Sequence, residues 1–204
     1  MARVLTGIGV LLTLKGVPGA VEQTVEPVSE ARVRALAQQA QRESKGDPTE
    51  LVLALDRHVR DTWGEFESFP ISIVRREELL VTLSTPYMAY RRSVVDVLRT
   101  KRPIDQAVWV DTAVLTISPA RLGAPDIESV ALTRDGREVA PLKNALRPMT
   151  FADGTGNQSV LHAGELHFAP SAFAPRARVV LALRPREGAA IEYVFNEEQL
   201  RTLK

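Results

Sequence analysis

The chain has three histidines, His58, His162 and His167, and no cysteine. Without thiolates, imidazole and carboxylate are the groups left to hold zinc or iron. Glu165 and His167 stand two apart, so on a strand they share a face and could reach one ion. His162 has the opposite parity and would join them only through a bulge at Gly164. One ligand pair falls short of a metal centre. Glu165 and His167 are therefore the only metal candidates, and no cofactor is assigned.

Other catalytic patterns are incomplete. His58 sits between Asp56 and Asp61, but neither Gly-x-Ser-x-Gly nor Ser-x-x-Lys supplies a nucleophile for a triad. Asp153-Gly154-Thr155-Gly156-Asn157 places oxygens at the first, third and fifth positions of a calcium-type loop. Gln158 stands where the sharp turn needs glycine, and Gly164 where a bidentate glutamate belongs. A phosphate-binding loop would need a lysine after its second glycine. The segment reads as a turn between strands. Glu65 and Glu67 lie among aromatic residues, as a glycosidase pair would, yet Gly64 and Pro70 make this a loop with no surrounding cleft.

Two segments suit binding. Trp63, Phe66 and Phe69 crowd one loop, and Tyr87, Tyr90, Arg91 and Arg92 share a short helical stretch. Aromatic and arginine side chains are the anchors enriched at interface centres. The stretch from Arg75 to Arg102 is basic on balance, which also admits an anionic membrane surface as a lesser alternative.

Composition bounds the partner. The 204 residues carry 26 basic and 25 acidic groups, a formal net charge of +1. Residues 1–103 and 104–204 are each close to neutral, so neither steers a polyanion, and nucleic acid is not an expected partner. With 45% apolar residues the chain can build a core without disulfides. Most of its basic residues are arginine, consistent with a GC-rich bacterial codon usage.

The amino terminus has the layout of a secretory leader. Arg3 precedes an uncharged, mostly apolar run from Val4 to Leu14, and Gly16-Val17-Pro18-Gly19-Ala20 follows. The run is too short to span a membrane. Lys15 and Pro18 depart from the pattern, and cleavage after Gly19 fits best. Residues 1–20 are thus expected to be a signal peptide, and the mature protein to be periplasmic or secreted.

The elements that must position these residues fall into two parts. Ser29 can cap a helix to about Ser44 whose stripe is Val33, Leu36, Ala37 and Ala40. Asp47-Pro48-Thr49-Glu50 opens a second, with Leu51, Leu55, His58, Val59 and Thr62 on one face to Trp63. Ile71 and Ile73, then Leu79, Leu80, Val81 and Leu83, suggest a short hairpin. Thr85-Pro86 opens a third helix to about Thr100, its stripe Met88, Val94, Val95 and Leu98. Beyond Pro103 the texture is β. Strands are expected over 108–117, 127–133, 149–152, 160–168, 179–183 and 191–195, with Asp135-Gly136 as a hairpin turn. Asn196 can cap a last helical turn carrying Leu200 and Leu203.

The expectation is an α+β chain: a mainly helical region over 21–103 and an immunoglobulin-like antiparallel β-sandwich over 104–204. The expected function is non-enzymatic binding of a protein partner in the bacterial cell envelope. The contacts would be Trp63, Phe66, Phe69, Tyr87, Tyr90, Arg91 and Arg92. The alternatives are a metal-assisted hydrolase outside the cytoplasm and a structural subunit of an envelope assembly.

Overall fold

A computed structural model of the chain describes residues 28–75 and 79–203, apart from the side chain of Arg75. The expected leader over 1–20 lies outside the described residues, as does most of the charged cluster between the first two strands.

Helix boundaries follow their caps. α1 spans Glu30–Glu43 and α2 spans Pro48–Trp63. The Asp47 carboxylate accepts hydrogen bonds from Thr49 N at 2.7 Å and Glu50 N at 3.1 Å, satisfying donors the helix cannot. Ser29 stands at the start of α1 without a side-chain cap bond. α3 spans Pro86–Arg99, capped by the Thr85 hydroxyl, and α4 spans Glu197–Thr202, capped by Asn196, which accepts from Gln199 N at 2.8 Å.

The stripes of α1 and α2 meet as their spacing implies. Val33, Leu36, Ala37 and Ala40 pack with Leu51, Ala54, Leu55, Val59 and Trp63. α3 is rotated from expectation. Tyr87, Tyr90, Val94 and Val97 join this cluster, while Val95 and Leu98 are only half-buried. Met88 points the other way, into the sheets. One helix therefore serves two cores, and a single-stripe reading misses half of it.

The described residues form ten strands: β1 Ile71–Arg75, β2 Leu79–Ser84, β3 Ala113–Pro119, β4 Ile127–Arg134, β5 Arg137–Val139, β6 Lys143–Asn144, β7 Arg147–Ala152, β8 Gln158–Phe168, β9 Val179–Pro185 and β10 Ile191–Phe195. All their pairings are antiparallel. One sheet runs β1-β2-β3-β8-β6, with β7 on β8; the other runs β10-β9-β4-β5. The fold is mixed α+β with two antiparallel sheets.

The two sheets bury one cluster between them. Leu79, Val81, Leu83, Leu115, Ile117, Leu166 and Phe168 come from the first, and Ile127, Leu132, Val179, Leu181, Leu183 and Phe195 from the second. The alternation expected in β9 holds, with Val179, Leu181 and Leu183 all buried. The hairpin β1–β2 joins this sheet directly, since β2 pairs with β3 from Leu79↔Pro119 to Ser84↔Val114.

Two details depart from the expected strands. Residues 108–112 are not strand: Val108 N donates to the Ser93 hydroxyl, and Trp109 packs on Tyr90 with ring centroids 5.7 Å apart. The short exposed β6 carries no apolar alternation, so the sequence pattern does not reveal it.

β8 changes phase midway. Leu161 and Ala163 are buried before Gly164, and Leu166 and Phe168 after it. Gly164 has φ +142, and a side chain there would run into the Ala145 carbonyl, whose carbon is 3.0 Å from the Cβ position. Only glycine fits both conditions. The phase change sets His162 on the same, less buried set of positions as Glu165 and His167.

Candidate functional site

The binding candidates divide by burial. Trp63, Tyr87 and Tyr90 lie in the helical core and present no surface. Phe66 is half-buried, its ring edge-on to Tyr87 at 4.9 Å. Phe69 is 63% exposed, and Arg92 is exposed. The seven residues therefore do not form one exposed patch. Aromatic periodicity cannot separate a core ring from a surface ring, and here the rings at helical spacing went inside.

Arg91 anchors what remains. Its guanidinium grips Asp56 of α2 in a fork, with Nε 2.9 Å from Oδ1 and Nη2 2.8 Å from Oδ2. The Tyr87 hydroxyl donates to the same Oδ1 at 2.6 Å. Burial and the adjacent Asp56 charge push the Tyr87 pKa well above its ordinary value, so the phenol stays a donor. Arg91 also lies over the Phe69 ring, 4.4 Å from its centroid. The cation holds the exposed ring in place while its own charge is neutralised by Asp56.

Beside this network α2 and α3 leave an open groove of about 450 Å³, lined by Pro48, Thr49, Val52, Leu53, Arg91, Val95, Leu98 and Arg99. Leu53 is 51% exposed on its wall. The groove is apolar along its length, with arginines at its edge. Sequence reading did not reach Leu53, because it lies off the Leu51–Leu55–Val59 stripe. A leucine on the polar side of an amphipathic helix was the available signal.

The histidines go to separate places. His58 pairs across the helical hairpin with Glu43 of α1, Nε2 to Oε2 at 2.9 Å, instead of with the acids of its own helix. Glu43 is held below the usual carboxylate range by hydrogen bonds from Gln39 and His58 and by the nearby positive groups. His167 Nδ1 meets the Thr112 hydroxyl at 2.8 Å. Its Nε2 is enclosed without a hydrogen-bond partner, although Glu165 Oε2 stands 3.5 Å away. That separation is a long ionic contact in poor geometry for a hydrogen bond. Among the described residues no three of His, Asp and Glu converge as a metal site would need.

His162 is tied to the loop before β4. Asp126 Oδ1 accepts from both its backbone N at 2.7 Å and its ring Nδ1 at 2.8 Å. Arg186 closes the cluster, with Nη2 3.4 Å from Asp126 Oδ2 and Nε 2.6 Å from Glu128. Burial opposes the Asp126 charge, but the two His162 bonds and the Arg186 cation outweigh it and hold the carboxyl below its ordinary range. The arrangement fixes the His162 imidazole against Asp126.

No protein-family model matches the chain. No curated protein matches it. One solved structure is similar, a novel protein of unknown function from Burkholderia pseudomallei. The two chains are 12% identical over 81% of this chain and 92% of that one, with a TM-score of 0.42.

Proposed function

We propose that this chain is an exported, non-enzymatic interaction protein of the bacterial cell envelope, whose sheets form an immunoglobulin-like sandwich carrying a helical binding face. The observation that carries this reading is the α2–α3 groove, where Leu53 is 51% exposed and Arg91, which lines the groove, also holds the 63% exposed Phe69 ring outside it. An exposed leucine in a groove with the half-buried Val52, Val95 and Leu98 favours a partner over solvent. A groove between two helices suits an amphipathic helix, which would lay apolar side chains along Val52, Leu53, Val95 and Leu98. Exposed Arg92 and Arg99 would favour acidic residues at its margin.

A photo-crosslinking residue at Leu53 tests this in cells. The expected result is a discrete adduct with one envelope protein, absent when the probe sits at exposed Gln39 on α1. Recovery of the chain in the cytoplasmic fraction, or no adduct specific to Leu53, overturns it. The metal-assisted hydrolase remains the second reading because His167 Nε2 is enclosed and unpaired near Glu165. Zinc titration of the chain and of His167→Ala separates the two: stoichiometric binding lost in H167A would favour it.

A further inference from the structure

The segment from Arg147 to His162 forms a two-stranded ribbon, β7 on the first half of β8, that projects beyond the rest of its sheet's pairing. Among the described residues, β8 pairs with β3 only from Gly164 onward, and β7 pairs with nothing but β8. Two bonds show which way the β7 backbone faces. His162 N, opposite Pro148, donates away from β7 to Asp126; Asp153 N donates toward β8, to Asn157 O. Odd positions of β7 therefore turn their N–H and C=O toward β8, and even positions turn theirs outward. The outer edge offers the donors of Thr150 and Ala152 and the acceptors of Pro148, Thr150 and Ala152.

Exposed edges are usually guarded by charge. Here only Arg147 and Asp153 are charged between residues 147 and 162, and they stand at the two ends of β7. Arg147 is exposed and in no ion pair among the described residues. Asp153 is exposed too, and its carboxylate is bonded by Thr155 and Asn157, all neutral donors that hold it ionised with a pKa of about 2. Its charge meets no cation among the described residues.

The sequence from Arg147 to Asp153, β7 with the residue after it, is complementary to itself when reversed about Thr150. Arg147 then falls opposite Asp153, Met149 opposite Phe151, Pro148 opposite Ala152, and Thr150 opposite itself. We infer that the outer edge of β7 pairs antiparallel with the same edge of a second copy of this chain, about a twofold axis through Thr150. The two Thr150 residues exchange both backbone bonds. Each Ala152 N–H donates to the other copy's Pro148 carbonyl, and only the donor that proline lacks goes unmade. Met149, 42% exposed alone, meets Phe151 at the closely spaced non-hydrogen-bonded positions, where side chains touch best. Arg147 and Asp153 close both ends as ion pairs. The interface is one strand edge, so the dimer is weak and reversible. This pairing does not depend on the helical groove.

The chain's lack of cysteine makes a direct test clean. Thr150→Cys in the full chain places one thiol at the twofold axis, within disulfide reach of its copy. Val160→Cys places another exposed thiol directly across the same ribbon, but on β8 and away from the axis. Under mild oxidation T150C should form disulfide dimer and V160C should not. Sedimentation of the wild-type chain over a concentration series should show monomer and dimer exchanging. R147E should weaken that dimer at least about tenfold, by setting like charges opposite each other. It should recover in high salt, whereas the wild type should weaken. Equal cross-linking of T150C and V160C, a monomer at every concentration, or an R147E chain that associates like the wild type would overturn the proposal.

Discussion

At Gly164 two demands coincide: a backbone at φ +142 and the close passage of the Ala145–Leu146 backbone. A methyl group must either strain the strand or push the Ala145–Leu146 backbone away. Gly164→Ala should therefore cost about 2–3 kcal/mol, read from urea denaturation. Gly136 is a contrasting case, with φ +76 but open space around its Cβ position. Its alanine variant should lose less. Asp126 supports a pH argument. Its pKa is lower folded than its ordinary value of 3.8, so its contribution to stability is complete above 3.8 and fades as pH falls through the lower folded value. Asp126→Asn lacks that contribution at every pH. The Tm gap between wild type and D126N should close as pH falls below 3.8, as followed by circular dichroism. A gap that widens in acid would mean that another group governs the loop.

Between elements, the tie that matters most for the groove is Arg91 with Asp56, because it fixes α3 against α2. Both side chains are nearly enclosed, 12% and 13% exposed. Asp56→Ala strands the Arg91 cation and the Tyr87 hydroxyl together, and should cost about 2–3 kcal/mol. Removing Arg91 as well relieves one of those penalties, so the double variant should cost less than the sum of the singles in a thermodynamic cycle. Element limits were legible wherever a local signal existed. Asp47-Pro48, Thr85-Pro86 and Asn196 each start a helix where the sequence reads as a cap. Asp135 and Gly136 make their turn with φ 51 and 76, as a tight hairpin needs. What was not legible is relational. The Arg91–Asp56 fork joins residues 35 apart, and the His162–Asp126 bond joins residues 36 apart. Neither spacing leaves a trace in periodicity. The exposure of Phe69 against the burial of Trp63 depends in the same way on which element arrives to cover each ring.

Among the described residues, the helical cluster and the sheet cluster are joined at several places, three of which bear on stability. β2 runs directly through Thr85 into α3. α3 sends Tyr87 and Tyr90 to one cluster and Met88 to the other. Glu67 N, in the loop after α2, donates to Thr202 O at the end of α4, whose Leu200 is buried in the sheet cluster. Connections this dense argue that neither cluster survives the loss of the other. The tryptophans allow a test, because both belong to the helical side: Trp63 is within that cluster and Trp109 packs against it. Their fluorescence therefore reports the helices, while far-ultraviolet circular dichroism reports helices and sheets together. Leu200→Ala opens a cavity on the sheet side alone and should cost about 2–4 kcal/mol. If the molecule unfolds as one unit, L200A lowers the fluorescence midpoint in urea as much as the dichroism midpoint, and the two transitions coincide. A fluorescence midpoint unmoved by L200A would show two units that melt separately. The α2–α3 groove would then rest on the helical cluster alone, and Asp56→Ala would remove it without disturbing the sheets.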